Sequence, residues 1–245
     1  MSNKAARRTL IVLLWLVLWQ LASIAVNNNI LLAGPYEALL ALIRLGATSA
    51  FWLSVISTVL KITLGFATGL MLGCLCAALS YRYGLFREVI SLPVSVIKSV
   101  PVASFVILVL IWAGAPSLSI VISALVVFPM IYYNVLSGLD STDRKMIETS
   151  ELFRFRFRDK VNHIYLPSVI PHLRSAVAVS AGMAFKSGIA AEVIGRPLKS
   201  IGSGLYQSKV LLATDELFAW TFCAVLLAFL FEKAITTLMR RLMSR

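Results

Sequence analysis

The chain alternates between long apolar segments and short polar segments that are mostly basic. Windows of about 19 residues scanned for hydrophobicity predict six membrane-spanning helices. Each approaches the roughly 20 residues that a helix needs to cross a bilayer. A shorter helical pattern at residues 35–45 predicts a helix along the outer interface. The predicted spans are residues 9–26, 52–79, 89–112, 118–136, 173–194 and 217–235.

The composition supports a membrane protein and excludes a soluble domain. Hydrophobic residues make up 59% of the chain and charged residues 14%, whereas soluble domains have about 25% charged residues. The short alternating segments of a transmembrane barrel do not occur. The predicted fold class is therefore an all-α, polytopic bundle of about six transmembrane helices.

The basic residues orient this bundle in the membrane. If the N-terminus is cytosolic, sixteen Lys and Arg residues fall on the cytosolic side and four on the outer side. This asymmetry follows the positive-inside rule and predicts that both termini are cytosolic. Asn27, Asn28 and Asn29 follow the first span in place of a small-residue cleavage site, which favours a retained anchor. The net charge of +12 is explained by the anionic inner leaflet and requires no nucleic-acid partner.

The cytosolic loop at residues 137–172 carries the most specific pattern in the chain. Asp140 and Asp143 bracket several candidate N-caps for a short helix that runs towards Phe153. Alternating arginines and phenylalanines follow at residues 154–158, and Pro167 predicts a break or a new helix start. The loop is therefore predicted to form a helix–turn–helix that projects from the membrane with exposed aromatic side chains.

This loop resembles the signature E-A-A-x-x-x-G-x(9)-I-x-L-P of permease subunits of ATP-binding cassette importers. Glu148, Thr149 and Ser150 stand at the E-A-A positions, and Arg154 stands where the family has Gly. A left-handed turn served by that Gly would cost a non-Gly residue roughly 1 kcal/mol, so the local geometry is in question. The spacing is intact, because the remaining signature residues match in identity and position: Ile164, Leu166 and Pro167.

Further segments resemble one branch of this family, over about residues 10–240. Residues 31–35 resemble its L-L-P-S-P run, and Lys61 with Gly65-Phe66 resembles its basic residue and G-F pair. Lys98-Ser99-Val100-Pro101 resembles R-P-I-P, and residues 190–195 resemble A-A-E-L-I-G. Permeases of this branch carry nitrate, sulfonates, taurine, bicarbonate or thiamine-related pyrimidines.

The resemblance implies one permease domain at residues 1–245 with type I importer architecture, in a bacterial cytoplasmic membrane. It implies a homodimer of permeases, two cytosolic ATP-binding subunits and an extracytoplasmic solute-binding protein. The chain lacks a G-x-x-x-x-G-K-[ST] loop, so it is predicted to be no enzyme and to bind no cofactor. ATP and Mg would act in the partner ATPase. The implied coupling residues are Glu148, Thr149, Ser150, Leu152, Phe153, Arg154, Ile164, Leu166 and Pro167.

Two interpretations of this loop remain open for its arginines. The spacing of the signature favours coupling to an ATPase for the loop as a whole. Arg154, Arg156 and Arg158 fit equally well as residues that contact lipid headgroups.

Four charged residues fall within or at the ends of predicted spans: Lys61, Lys98, Lys186 and Glu192. A charge at the centre of a membrane helix costs about 2.5–3.5 kcal/mol, so it usually faces a cavity or a partner. One interpretation is that all four line the translocation pathway. In the other, Glu192 has a structural role and pairs with a lysine, while the other lysines extend towards an interface.

Two glycine patterns complete the predictions. Gly65, Gly69 and Gly73 lie four residues apart and predict close helix packing. Residues 202–206 contain two glycines in the outer loop before the last span, and we expect an ordinary turn there, with an outer gate as the alternative.

Three classes of function fit these patterns to different degrees. An importer permease accounts for the span count, the loop signature and the missing nucleotide site together. An ion-coupled secondary transporter predicts an internal repeat, which is not evident. A non-transporting membrane scaffold does not explain the loop signature. The expected solute is a small anionic or polar compound, similar to a sulfonate, nitrate, taurine or a thiamine precursor.

Overall fold

The computed structural model describes residues 2–243, which form helices joined by short connections. A π-helical turn at Val161–Tyr165 joins α7 to α8. The helices are α1 Ser2–Val26, α2 Pro35–Gly46, α3 Ser49–Arg82, α4 Gly84–Ser99, α5 Val102–Asp140, α6 Arg144–Leu152, α7 Phe157–Lys160, α8 Leu166–Gly195, α9 Ile201–Val210 and α10 Thr214–Met243.

Five helical segments of the described chain are long and apolar enough to cross a membrane. They contain five of the six predicted spans, and α2 confirms the short helix predicted at residues 35–45. A helix satisfies its backbone hydrogen bonds internally, which hydrocarbon surroundings demand. The long segments are Thr9–Val26, Ser49–Arg82, Val102–Asp140, Phe157–Gly195 and Thr214–Arg241.

The span predicted at residues 89–112 is broken into two shorter helices. α4 ends at Ser99, and Pro101 is the N-cap of α5, where its missing N–H is not required. α5 then bends at Gly114, whose φ of 70° lies outside the helical region. α4 has 16 residues and is about 24 Å long, less than the roughly 30 Å of a bilayer core. The first arm of α5 must therefore complete the crossing that α4 begins.

Polar contacts show how α4 runs beside α5. Arg87 near the start of α4 forms a bidentate pair with Asp140 at the end of α5, at 2.8 and 3.2 Å. Lys98 at the other end of α4 lies 5.2 Å from the ring centroid of Tyr133, which is about two turns before Asp140 in α5. α4 is therefore antiparallel to the second arm of α5 and starts at the end of the bundle that carries the cytosolic loop.

Helices α3, α5 and α8 form the centre of the bundle, and small residues allow them to approach closely. A Cβ atom added at Gly69 would lie 2.8 Å from the carbonyl oxygen of Ala124, and one at Gly73 would lie 2.8 Å from Cβ of Ile131. The packing role predicted for the glycines at positions 65, 69 and 73 is therefore confirmed. The hydroxyl groups of Ser80 and Tyr132 are 3.1 Å apart and add a polar contact in this buried interface.

The prediction of an ordinary turn at residues 202–206 is wrong, because these residues belong to α9. Ser200 caps this helix by accepting a hydrogen bond from the N–H of Ser203 at 3.0 Å, and Ser203 accepts one from the N–H of Ser200 at 3.2 Å. The glycines provide packing: a Cβ at Gly204 would lie 2.5 Å from the Trp220 ring. Gly202 packs instead against Glu192 of α8, so close contacts with two helices explain the small residues.

Candidate functional site

The loop at residues 137–172 folds as the predicted helix–turn–helix. Asp143 caps α6 and accepts a hydrogen bond from the N–H of Lys145 at 2.9 Å. Glu148 is exposed and lies 3.3 Å from Arg144, one turn earlier. Thr149 is also exposed, and its hydroxyl donates to the carbonyl of Lys145 within the same helix. Because their side chains bond only locally, Glu148 and Thr149 remain accessible on one surface of α6.

The end of α6 adopts a Schellman motif with Arg154 in the left-handed position. The φ of Arg154 is 52°. The N–H of Phe155 donates to the carbonyl of Ser150 at 2.9 Å, and the N–H of Arg154 donates to that of Glu151 at 3.0 Å. The turn expected of Gly at this signature position is thus retained with Arg in its place. Ser150 is buried, which agrees with the need for a small residue there.

Replacement of Arg154 by Gly is expected to stabilise this turn by up to about 1 kcal/mol, since Gly adopts positive φ without steric cost. The measurement is hydrogen–deuterium exchange of the segment 150–157, which should slow up to about fivefold. Arg156→Gly is the matched control, because Arg156 is also exposed but has extended backbone with φ −64°. Equal exchange in the two variants would contradict a strained turn.

Five apolar side chains of this hairpin are exposed, and we call them the α6 face. Their exposed fractions range from 45% to 79%. Four of them lie outside the long apolar segments that are suited to lipid, and Phe157 is the first residue of one such segment. Exposed apolar surface outside a membrane-spanning segment often marks an interaction site. The α6 face consists of Met146, Leu152, Phe153, Phe155 and Phe157.

The second half of the signature anchors the hairpin to the bundle. Ile164 is buried at 5% exposure. Leu166 begins α8 and donates its N–H to the carbonyl of Val161, which gives the wider π-helical turn. Pro167 follows at the start of α8, where it lacks the N–H that a regular helix would direct to His163. Ile164 and Pro167 therefore lie where the hairpin joins α8, and Leu166 is exposed at the same place.

Glu192 lies at the centre of a buried polar cluster at the opposite end of the bundle. Its side chain is 0% exposed. One carboxylate oxygen accepts from the hydroxyl of Ser119 at 2.7 Å. The other accepts from the hydroxyl of Thr58 at 2.8 Å and from the N–H of Gly202 at 3.2 Å. Thr58 also accepts from the N–H of Ile201 at 3.0 Å, so one carboxylate connects α3, α5, α8 and α9.

The three lysines predicted in the pathway are not brought together. Lys61 is half-buried on α3, and Lys98 and Lys186 are exposed on α4 and α8. They line separate cavities of about 460, 230 and 480 Å³ respectively. Within residues 2–243, no ion pair joins Glu192 to any of them. For Glu192 the burial supports a structural role, but the expected pairing with a lysine is not formed among the described residues. A pathway role for the three lysines stays a prediction.

Sequence reasoning did not find the partners of these charges. Thr58 and Ser119 are buried hydroxyl residues in apolar helices, and Tyr133 faces Lys98. Lys199 was assigned only to the outer loop, yet it lines the same cavity as Lys61. A Ser or Thr in an apolar helix is only a weak indication that it bonds to an intramembrane charge, because hydroxyls in such helices often bond to their own backbone.

Comparison with known proteins reveals relatives among transport permeases. The chain is 24% identical over 192 residues to a putative aliphatic sulfonates transport permease of Bacillus subtilis, covering 78% of this chain and 68% of the relative. It is 22% identical over 240 residues to the taurine transport system permease of Escherichia coli, covering 96% and 86%. It is 23% identical to a formylaminopyrimidine transport permease of Halalkalibacterium halodurans, covering 97% and 94%.

The fold also matches a solved structure. That structure is of a bacterial ABC transporter involved in the import of the acidic polysaccharide alginate. The two folds agree with a TM-score of 0.63 at 14% sequence identity. The match covers 99% of this chain and 98% of that chain. Residues 69–245 match the family model described as the binding-protein-dependent transport system inner membrane component. The chain is therefore a multi-pass membrane protein of the ABC importer permease type and belongs to that family.

Proposed function

We propose that this chain is the translocating subunit of an ATP-driven importer and that the α6 face docks onto a separate ATPase. The observation that carries the proposal is the exposure of five apolar side chains in the hairpin, four of them outside the long apolar segments. Burial of Leu152 and Phe153 in a partner groove would remove apolar surface from water, at about 25 cal/mol per Å². An amphipathic helix that inserts into a groove is a common mode of recognition.

The position of α6 in the chain would allow it to transmit motion both to α5 and to α8. Only residues 141–143 separate α5 from α6, and α7 with the π-helical turn leads directly into α8. The Arg87–Asp140 pair additionally ties the start of α4 to the end of α5. A displacement of α6 by a closing ATPase would therefore move α4, α5 and α8 together. Such rocking of packed helices would alternate access to a central pathway.

The family and the charges of the chain support a proposal for its partners and its solute. We propose a dimer of two copies of this chain, two ATP-binding subunits that hold ATP and Mg, and an extracytoplasmic solute-binding protein. The relatives are named for aliphatic sulfonates, taurine and formylaminopyrimidine. Three lysines in or near the spanning segments favour a small anionic or polar solute, since a cation facing a cavity attracts the opposite charge.

The test compares Leu152→Asp with Leu211→Asp. Leu152 is 79% exposed on the α6 face, and Leu211 is 73% exposed between α9 and α10, at the opposite end of the bundle. The measurement is co-purification with a candidate ATPase and ATP hydrolysis in proteoliposomes. The variant at 152 is expected to reduce stimulated hydrolysis at least about tenfold, because a charge would enter a desolvated contact. The variant at 211 should behave as wild type.

Retention of co-purification and hydrolysis in Leu152→Asp would contradict docking through the α6 face. That outcome would favour contact of the hairpin with lipid headgroups, or transport without an ATPase. Size-exclusion chromatography of each variant ensures that a loss of hydrolysis reflects docking and not unfolding.

A further inference from the structure

Two cations from distant parts of the sequence line one cavity at the outer end of the bundle. Lys61 lies on α3, and Lys199 lies in the connection between α8 and α9. Both line an open cavity of about 460 Å³. Volumes of this size are typical of small-molecule sites. The cavity is at the end of the bundle opposite the α6 face, since α8 runs from the cytosolic hairpin to Gly195, just before Lys199.

Neither lysine forms an ion pair within the described residues, although Lys61 lies close enough to Glu192 for the two charges to interact. In the described range of the chain, ion pairs are formed by Arg44, Arg87, Arg144 and Lys160, and by no lysine of this cavity. Glu192 is near in sequence to Lys199, but its oxygens are occupied by hydroxyl and backbone donors. Glu216 lines a neighbouring cavity that Lys199 also borders, without forming an ion pair there. Two like charges beside one cavity repel each other, and a bound anion would offset that repulsion.

The remaining lining defines the kind of anion. Ser57 adds one hydroxyl donor, and the other walls are aliphatic side chains. An anion with a short hydrocarbon part would contact these side chains, whereas a bare inorganic ion would not. The aliphatic residues of the lining are Leu53, Ile56, Leu60 and Leu198.

We propose that this cavity is an entry site for a small organic oxoanion, whose charged head lies between Lys61 and Lys199 and whose hydrocarbon part contacts the leucines. The buried cluster around Glu192 fixes the positions of the two lysines relative to each other. Thr58, one turn before Lys61, donates to Glu192, and Glu192 accepts from Gly202 in α9, which begins just after Lys199. The identity of the anion as transported solute rests on the proposed function, and binding at the site does not require the ATPase.

The test is protection of lysines from an amine-reactive reagent in the full chain, purified in dodecyl maltoside. Labelling of each lysine is followed by mass spectrometry as butanesulfonate is added to about 10 mM, a range that detects a dissociation constant near 1 mM. Labelling of Lys61 and Lys199 should slow at least about threefold. Labelling of Lys209 should not change, because Lys209 is exposed on the same side and does not line the cavity. Methanesulfonate should protect more weakly, since it carries less hydrocarbon.

Variants test whether protection depends on these two lysines or on the total charge of the protein. Lys199→Gln is expected to abolish the protection of Lys61, and Lys61→Gln that of Lys199. Lys209→Gln is the matched control and should leave protection intact. Because all three lysines are at least partly exposed, each variant is expected to fold, which size-exclusion chromatography verifies.

Two outcomes would overturn the proposal. Equal labelling with and without butanesulfonate would show that no organic oxoanion binds. Protection by phosphatidylglycerol in mixed micelles, without protection by butanesulfonate, would assign the cavity to a lipid headgroup. Both results are obtained without an ATPase, so they are independent of whether the α6 face docks onto one.

Discussion

Replacement of Gly69 by Leu is expected to prevent accumulation of folded protein. A Cβ atom at this position would lie 2.8 Å from the carbonyl oxygen of Ala124 and 2.9 Å from Cβ of Val127. Neither atom can move away by a simple side-chain rotation, because one belongs to the backbone and the other is attached directly to it. Helices α3 and α5 would have to separate along their interface, which we expect to cost about 4 kcal/mol or more.

The measurement is the yield of monodisperse protein by fluorescence-detected size-exclusion chromatography. Gly46→Leu is the control, because a Cβ at Gly46 meets no atom within 4 Å. The control should give a yield close to wild type, and Gly69→Leu should give little monodisperse protein. A normal yield from Gly69→Leu would show that α3 and α5 are not packed as described.

The second large effect is expected at Glu192. Replacement by Ala removes the acceptor for Ser119, Thr58 and the N–H of Gly202 at a site that is 0% exposed. An unsatisfied buried polar group costs about 1–3 kcal/mol, and the hydroxyls can turn to their own helix carbonyls. We therefore expect a loss of about 3 kcal/mol, dominated by the backbone donor and the cavity that the side chain leaves.

Glu192→Gln distinguishes a packing role from a requirement for charge. Its amide oxygen can accept from Thr58 and Gly202, and its amide group can donate to the hydroxyl of Ser119. It should therefore cost only about 1 kcal/mol. The measurements are the thermal unfolding midpoint and hydrogen–deuterium exchange of residues 200–204 at the start of α9. Equal destabilisation by Ala and Gln would contradict a hydrogen-bonding role and point to the charge itself.

Much of the architecture could be predicted from the sequence because the bilayer restricts the choices so severely. Segments such as residues 52–79 and 217–235 must be helical once they are apolar and long enough, since hydrocarbon offers no partner to the backbone. The α6 helix was predictable from its Asp cap and from the spacing of the signature through Pro167. The glycine ridge was predictable because only small residues permit such close contact between helices.

The third predicted span shows that hydropathy alone does not predict whether a helix is continuous. A window average over residues 89–112 remains apolar whether or not the helix is continuous. The break after Ser99 depends on Pro101, and the bend in α5 depends on Gly114. Pro93, by contrast, lies inside α4 without ending it. Proline and glycine mark possible interruptions, and packing against neighbouring helices decides which of them are used.

The sequence by itself determined the class of the protein, the apolar spans and the helical hairpin with its signature, because these depend on local composition and periodicity. Only the tertiary structure decided that Glu192 is sealed by Thr58 and Ser119, and that Lys61 and Lys199 border one cavity. It also decided that Gly202 and Gly204 belong to a helix. The contacts of Glu192 and the cavity of Lys61 and Lys199 join residues far apart in the chain, so they arise from how helices pack and not from any local pattern.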